Sequence, residues 1–250
     1  MSECKEERGE TGKEPLKESA VYIVSTPIGN LGDLSPRAIS VLKSVDLILA
    51  EDTRHFGKLA KAFGINTRAK SYHDHNERSR TAELIQQIVD GLTVALVSDS
   101  GTPTISDPGY RLLTSCHENN ISVFSIPGAC AAVAALSVSG FPTDRFLFEG
   151  FLPVKPGKRA KALNNALENQ TTTIFYESPH RIIKTLNHIA EKAPQRRVLV
   201  SREISKIHEE HLRGSAEEVL AELSSRPSVK GEIVLIIDAG EKRGKEQGQD

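Results

Sequence analysis

Ionisable side chains gather at three points of the chain, each directly after a short apolar run. Residues 46–50 lead into Glu51, Asp52 and Arg54; residues 69–72 lead into His73, His75, Asn76 and Glu77; residues 172–176 lead into Glu177 and Arg181. Carboxylates and imidazoles at such points can accept a proton or hold a polar substrate. His73, Asp74 and His75 also invite a metal reading, but no further ligand follows at a recognised spacing, so no metal is expected. Three loops rich in small residues follow other runs: STPIGNLGDLSPR (25–37), SDSGTPTISDPGYR (98–111) and PGACAAVAAL (127–136). Small residues let a ligand lie against the backbone, and amides at a helix start can receive its acceptor groups. Asp99 closes an apolar run, where it can accept hydrogen bonds from ligand hydroxyls or amines. Neither the dinucleotide-binding fingerprint nor a phosphate-binding G-K-[ST] loop is present.

These points need a scaffold, and the apolar runs supply one. Strands are expected at 21–25, 46–50, 69–72, 93–98, 122–126, 146–150, 172–176, 197–201 and 232–238. Helical patterns lie between them. Ser35 before Pro36 reads as an N-cap with proline at the first helical position, and Leu84, Ile85, Ile88 and Val89 form one stripe within 77–90. Alternation of strands and helices predicts an α/β protein with largely parallel sheets. Turn chemistry at 140–146 divides it into an α/β domain over 19–140 and a second over 141–239, with highly charged tails expected to be disordered at 1–18 and 240–250.

The 250 residues are 38% hydrophobic and 26% charged, with a net charge of -1, which fits a folded protein with a core. The three cysteines, Cys4, Cys116 and Cys130, have no C-x-x-C spacing, so neither a disulfide scaffold nor a zinc ribbon is expected. No apolar stretch reads as a signal peptide or a bilayer span, and a cytoplasmic location is expected. Charge is uneven: residues 153–206 hold eleven Lys and Arg against four Asp and Glu, a local net of +7. That asymmetry favours a polyanion-facing surface, and the paucity of aromatics argues against a platform on which single-stranded bases stack.

Taken in order, TPIGNLGD, AEDTR, SYHDHNE, LVSDSGTPTISDPGYR, TDRFLFEGFLP, FYESPHR, SREISKIHEE and KGEIVL resemble the ribosomal RNA small-subunit methyltransferase I family of the tetrapyrrole-methylase superfamily, over residues 20–238. The resemblance implies two α/β domains of the class III type with S-adenosyl-L-methionine in the cleft between them, a homodimer, and 2′-O-methylation of a cytidine ribose in the decoding centre of 16S rRNA within the small ribosomal subunit. It implies cofactor contacts from Pro27, Gly29 and Asn30, from Asp99, Ser100, Gly101, Thr102 and Pro103, from Cys130 and Ala131, and from Tyr176 and Glu232. Two departures are visible: Cys130 stands where relatives often carry a serine hydroxyl, and Thr104 stands where glycine is common.

Methyl transfer to a ribose hydroxyl needs two aligned reactants and a base for the hydroxyl proton, and it needs no metal. Asp52, His75, Glu77 and Glu177 are the base candidates; Arg54, Arg181 and the stretch holding Lys155, Lys158, Arg159 and Lys161 are the expected RNA contacts. Two other classes compete: a methylase of a small tetrapyrrole, and a non-catalytic RNA-binding protein of ribosome assembly.

Overall fold

The structure, a computed structural model, describes residues 16–240. Most of both expected tails lies outside these residues. Residues 16–18 do not: the Lys17 amide donates to the Tyr22 hydroxyl at 2.8 Å, and Leu16 packs on the core. The described residues form two compact units, one over 16–25 and 34–128, the other over 26–33 and 129–240. The loop at 26–33 therefore belongs to the second unit although both of its flanks belong to the first.

In the first unit, strands β1 (Ala20–Val24), β2 (Leu47–Ala50), β3 (Ala69–Ser71), β4 (Val94–Val97) and β5 (Ser122–Ile126) form an all-parallel sheet in the order β3-β2-β4-β1-β5. Its helices are α1 (Pro36–Ser44), α2 (Thr53–Phe63), α3 (Asp74–Val89) and α4 (Tyr110–Glu118). Side chains alternate across a strand, so Tyr22 and Val24 pack with Leu42, Phe56 and Leu59 on one face, while Val21 and Ile23 pack with Leu84, Ile88 and Leu112 on the other. A sheet covered on both faces needs continuous apolar strands, and that is why the runs were legible in the sequence. The Ser35 hydroxyl accepts from the Ala38 amide, as its type and place predicted.

The second unit corrects the expectation of largely parallel sheets. It contains β6 (Phe146–Phe151), β7 (Thr172–Glu177), β8 (Arg197–Arg202), β9 (Glu210–Ser215) and β10 (Ile233–Ile237), ordered β6-β7-β10-β8-β9. Only β6 and β7 pair in parallel; the other three pairings are antiparallel. Strand β9 was not anticipated. Its sequence EHLRGS has no apolar run, because this edge strand pairs on one side only and none of its residues is buried. Helices α6 (Pro156–Glu168), α7 (Ile182–Lys192) and α8 (Ala216–Ser224) cover the face of Phe175, Val200 and Leu235, and α5 (Ala131–Ser139) covers the face of Ile174, Leu199 and Val234. Among the described residues no helix is long and apolar enough to cross a membrane.

Candidate active site

The carboxyl ends of β2, β3 and β4 lie side by side. Ala50 is in register with both Val97 and Ser71, so the acidic residues after each strand meet at one edge of the first unit. The Asp52 amide donates to the Asp99 carboxylate at 3.1 Å, and the Asp99 amide donates to Glu51 at 3.4 Å. Asp52 also caps α2: its carboxylate accepts the Arg54 amide and guanidinium, both at 2.8 Å, which holds its acidity well below the usual carboxylate range. A carboxylate so stabilised in its charged form is a weak proton acceptor. Arg54 keeps a side-chain exposure of 90% and can reach a phosphate.

Two carboxyls beside it behave in the opposite way. Burial raises Glu51. Burial also pushes Asp107 up to about 6, against a hydrogen bond with Ser98, and the charges of Glu51, Asp99 and Asp74 add to the rise. Asp107 stands in the 98–111 loop, yet it was not among the base candidates. Its local signal, S-D-P-G, reads as turn chemistry, whereas its proton affinity comes from burial beside carboxylates that follow other strands.

The loop carrying Asp107 is conformationally unusual. Gly101, Thr104, Ser106 and Gly109 all have positive φ, at 84°, 73°, 67° and 129°. Thr104 thus occupies a left-handed position as a β-branched residue, which explains why glycine suits that place better. The Thr102 hydroxyl meets the Ser25 hydroxyl at 3.0 Å, tying the loop to the end of β1. Gly128 in the third loop is required sterically, since a Cβ there would lie 2.8 Å from the Ser25 Cβ.

The remaining base candidates separate. His73 caps α3 together with Asn76, and its Nδ1 is buried without a partner; the His75 ring lies edge-on to it at 5.9 Å. Glu77 is buried and accepts the Arg111 amide at 2.9 Å, so it joins α3 to the start of α4. Glu177 lies in the second unit and is also buried. Its carboxylate takes the Ser178 amide and the Arg181 guanidinium, each at 2.6 Å, and the Thr185 hydroxyl at 2.7 Å. Three donors draw the Glu177 side chain inward, against the start of α7. Arg181 is paired with it and also donates to the Leu152 carbonyl at 3.2 Å.

The other expected contacts of the second unit lie on loops, strand β7 and helices α5 and α6. Gly29 and Asn30 are exposed, Pro27 is half-buried, and the Asn30 side chain accepts the Gly32 amide at 2.9 Å. Cys130 stands at the N-cap of α5 without a side-chain cap, so the thiol does not supply the hydrogen bond a hydroxyl there would, and Ala131 opens the helix. The Tyr176 ring meets Phe148 and Phe151 edge-to-face at 5.0 and 5.3 Å. Glu232 is 73% exposed and pairs with Lys206 at 3.1 Å. Lys155, Lys158 and Lys161 are exposed on the first turns of α6, and Arg159 donates to the Val154 carbonyl. Among the described residues no three His, Cys, Asp or Glu side chains converge as a metal site.

Residues 20–220 match the family of Tetrapyrrole (Corrin/Porphyrin) Methylases. The chain is similar to "Ribosomal RNA small subunit methyltransferase I" of Synechocystis, with 50% identity over 87% of this chain and 78% of the relative. It is similar to the protein of the same name in Escherichia coli O157:H7, with 47% identity over 87% and 77%. Among solved structures it resembles diphthine synthase, at a TM-score of 0.64 and 13% identity, covering 88% of this chain and 89% of that one. It also resembles uroporphyrin-III-C-methyltransferase from Thermus thermophilus, at a TM-score of 0.60 and 20% identity, covering 88% and 94%.

Proposed function

We propose, because this chain belongs to the ribosomal RNA small subunit methyltransferase I family within the tetrapyrrole methylases, that it is a methyltransferase acting on RNA of the small ribosomal subunit. The finer reading is 2′-O-methylation of a cytidine ribose in the decoding centre of 16S rRNA, with S-adenosyl-L-methionine as donor and a homodimer as the working form. Identity near one half over 87% of the chain is the observation that carries this reading. The structural likenesses, at 13% and 20% identity, speak for the fold alone, and the net charge of +7 over 153–206 favours a polyanionic substrate.

The residues present suit such a donor. Gly101 is buried with φ at 84°, Gly128 leaves no space for a Cβ, and the first amides of α5 lack a side-chain cap. Expected donor contacts then fall on Asp99, Ser100, Gly101, Thr102 and Pro103 in the first unit. In the second they fall on Pro27, Gly29, Asn30, Cys130, Ala131, Tyr176 and Glu232. When bound, S-adenosyl-L-methionine supplies a methyl group on a positively charged sulfur, whose departure needs no proton. What the chain must add is alignment and a proton acceptor. Asp107 is our choice of acceptor: it lies among the carboxylates after β2 and β4, and its proton affinity of about 6 suits exchange near neutral pH. Asp52 is held charged by Arg54, and the carboxylates of Glu177 and Glu77 are engaged by Arg181 and the Arg111 amide, which suits them to positioning. Arg54 and the exposed lysines of α6 would hold phosphates.

The test is incubation of the protein with labelled S-adenosyl-L-methionine and unmethylated small subunits, followed by mapping of the label. Label on one cytidine ribose supports the reading. Absence of both donor binding and label would favour the binding-protein alternative, and donor binding without label on RNA the small-molecule one.

A further inference from the structure

We propose that the turn from Glu203 to Lys206 clamps the 26–33 loop, and that Lys206 is a positioning residue for the methyl donor; the donor role rests on the function proposed above. The S-R-E-I-S-K-I-H-E-E motif is the one conspicuous stretch which that function leaves without a task. It spans the end of β8, the connection to β9 and the first residue of β9.

The connection is built under constraint. Glu203 and Ser205 both have left-handed backbones, at φ 52° and 68°, although neither is glycine. Such conformations persist where surrounding contacts over-determine them, and they gather at functional sites. The contacts here are numerous. The Lys206 amide donates to the Glu203 carbonyl, the Glu203 amide to the Glu232 carbonyl, and the Glu232 amide to the Glu203 carboxylate, each at 3.0 Å. The Ser205 amide donates to the Glu209 carboxylate at 2.8 Å. A seven-residue connection between antiparallel strands does not require this much internal bonding.

The turn then engages two of the loops of the second unit that carry expected donor contacts. A Cβ on Gly29 would collide with Lys206 Cγ and lie 3.0 Å from the Ile204 carbonyl oxygen. A Cβ on Gly231 would overlap the Glu203 side chain. Two glycines in separate loops therefore make room for the same turn. The Ser205 hydroxyl donates to Asp33 at the far end of the first loop. Lys206 is the junction: its stem lies on Gly29, and its ammonium pairs with Glu203 at 2.9 Å and Glu232 at 3.1 Å. The amide of Glu232 and the Lys206 ammonium also hold the Glu203 carboxyl below its ordinary range, so the junction stays charged at neutral pH.

The experiment uses the full chain and two readouts: calorimetric titration with S-adenosyl-L-methionine, and methylation of unmethylated small subunits. Lys206→Met keeps the stem and removes the charge. We expect the donor Kd and donor KM to rise about 5–20-fold, the scale of a partly exposed charged hydrogen bond. We expect kcat at saturating donor and the KM for RNA to stay within about twofold, and Lys206→Arg to recover most of the donor affinity. Gly29→Ala should weaken the donor too, and Gly29→Ala with Lys206→Ala should cost less than the two losses combined, because the obstructing Cγ is gone. Unchanged donor affinity in Lys206→Met, or a loss falling on kcat or RNA KM alone, overturns the proposal. If Lys206→Met does not fold, Glu203→Gln decides by the same donor measurement. Failure of the unaltered protein to bind the donor sinks the functional reading itself, whereas normal binding with indifferent Lys206 and Glu203 variants sinks only the clamp.

Discussion

Two carboxylates show how little a residue's type says of its task. Glu177 ends one strand and Asp107 stands in the loop after another, but one is saturated with donors and the other is desolvated among like charges. Glu177→Gln removes the charge that neutralises the mostly buried Arg181, and breaking such a pair costs about 3 kcal/mol. Urea denaturation should show that loss, with donor affinity falling only as far as the loop after β7 loosens. Asp107 predicts a pH effect of opposite origin. Its folded acidity, about 6, lies above the ordinary 3.8, so the native state holds the proton more tightly than the unfolded chain does. The protonated carboxyl thus costs nothing below about pH 4, and stability declines as pH rises through about 6. Asp107→Asn should flatten that decline and melt higher than the unaltered protein at pH 7. In the proton-acceptor role the same substitution lowers turnover ~10²–10⁴-fold with donor affinity intact, and kcat/KM of the unaltered protein rises with pH through about 6. A turnover unaffected by Asp107→Asn would return the base to His75.

At the scale of elements, the loop between β4 and α4 and the first turns of α6 divide the work. Gly109 caps α4 with φ at 129°, and a Cβ there would lie 2.6 Å from Leu96 Cδ2 and 2.9 Å from Thr104 Cγ2. Gly109→Ala therefore combines backbone strain with overpacking and should destabilise by about 2–4 kcal/mol in chemical denaturation. The basic face of α6 carries a separate expectation. Replacing Lys155, Lys158, Arg159 and Lys161 together should weaken RNA binding and lower the slope of log affinity against log salt by up to about 3, at roughly 0.7 per phosphate contact for single strands. An unchanged slope would leave these residues as an ordinary solvated helix face.

At the scale of the whole molecule, the proposed homodimer has a physical point of departure in β6. This strand is an edge of the second sheet, and Phe146, Leu147 and Phe151 are exposed on it, with Val154 just beyond at 79% exposure. Unpaired edges with exposed apolar side chains favour association. Sedimentation of Phe151→Lys should show a shift toward monomer relative to the unaltered protein. A dimer that survives this substitution unchanged uses another surface.

The sequence by itself determined strands β1, β2 and β4 of the first unit, the Ser35 cap and the family. Those three strands are buried throughout and so appear as uninterrupted apolar runs, and Ser35 caps α1 through atoms three residues away. Tertiary structure alone decided the second sheet. The central place of β10 among antiparallel neighbours and the pairing of polar β9 depend on partners far along the chain, which local periodicity does not encode. It also decided which acidic residues point inward. Glu177 becomes an inward-facing anchor only when Arg181 and Thr185 of the α7 region reach it, and Asp107 gains its proton affinity only when the assembled loop buries it, near the charges of Glu51, Asp99 and Asp74. Desolvation and charge proximity are properties of the assembled strand ends, not of any one segment.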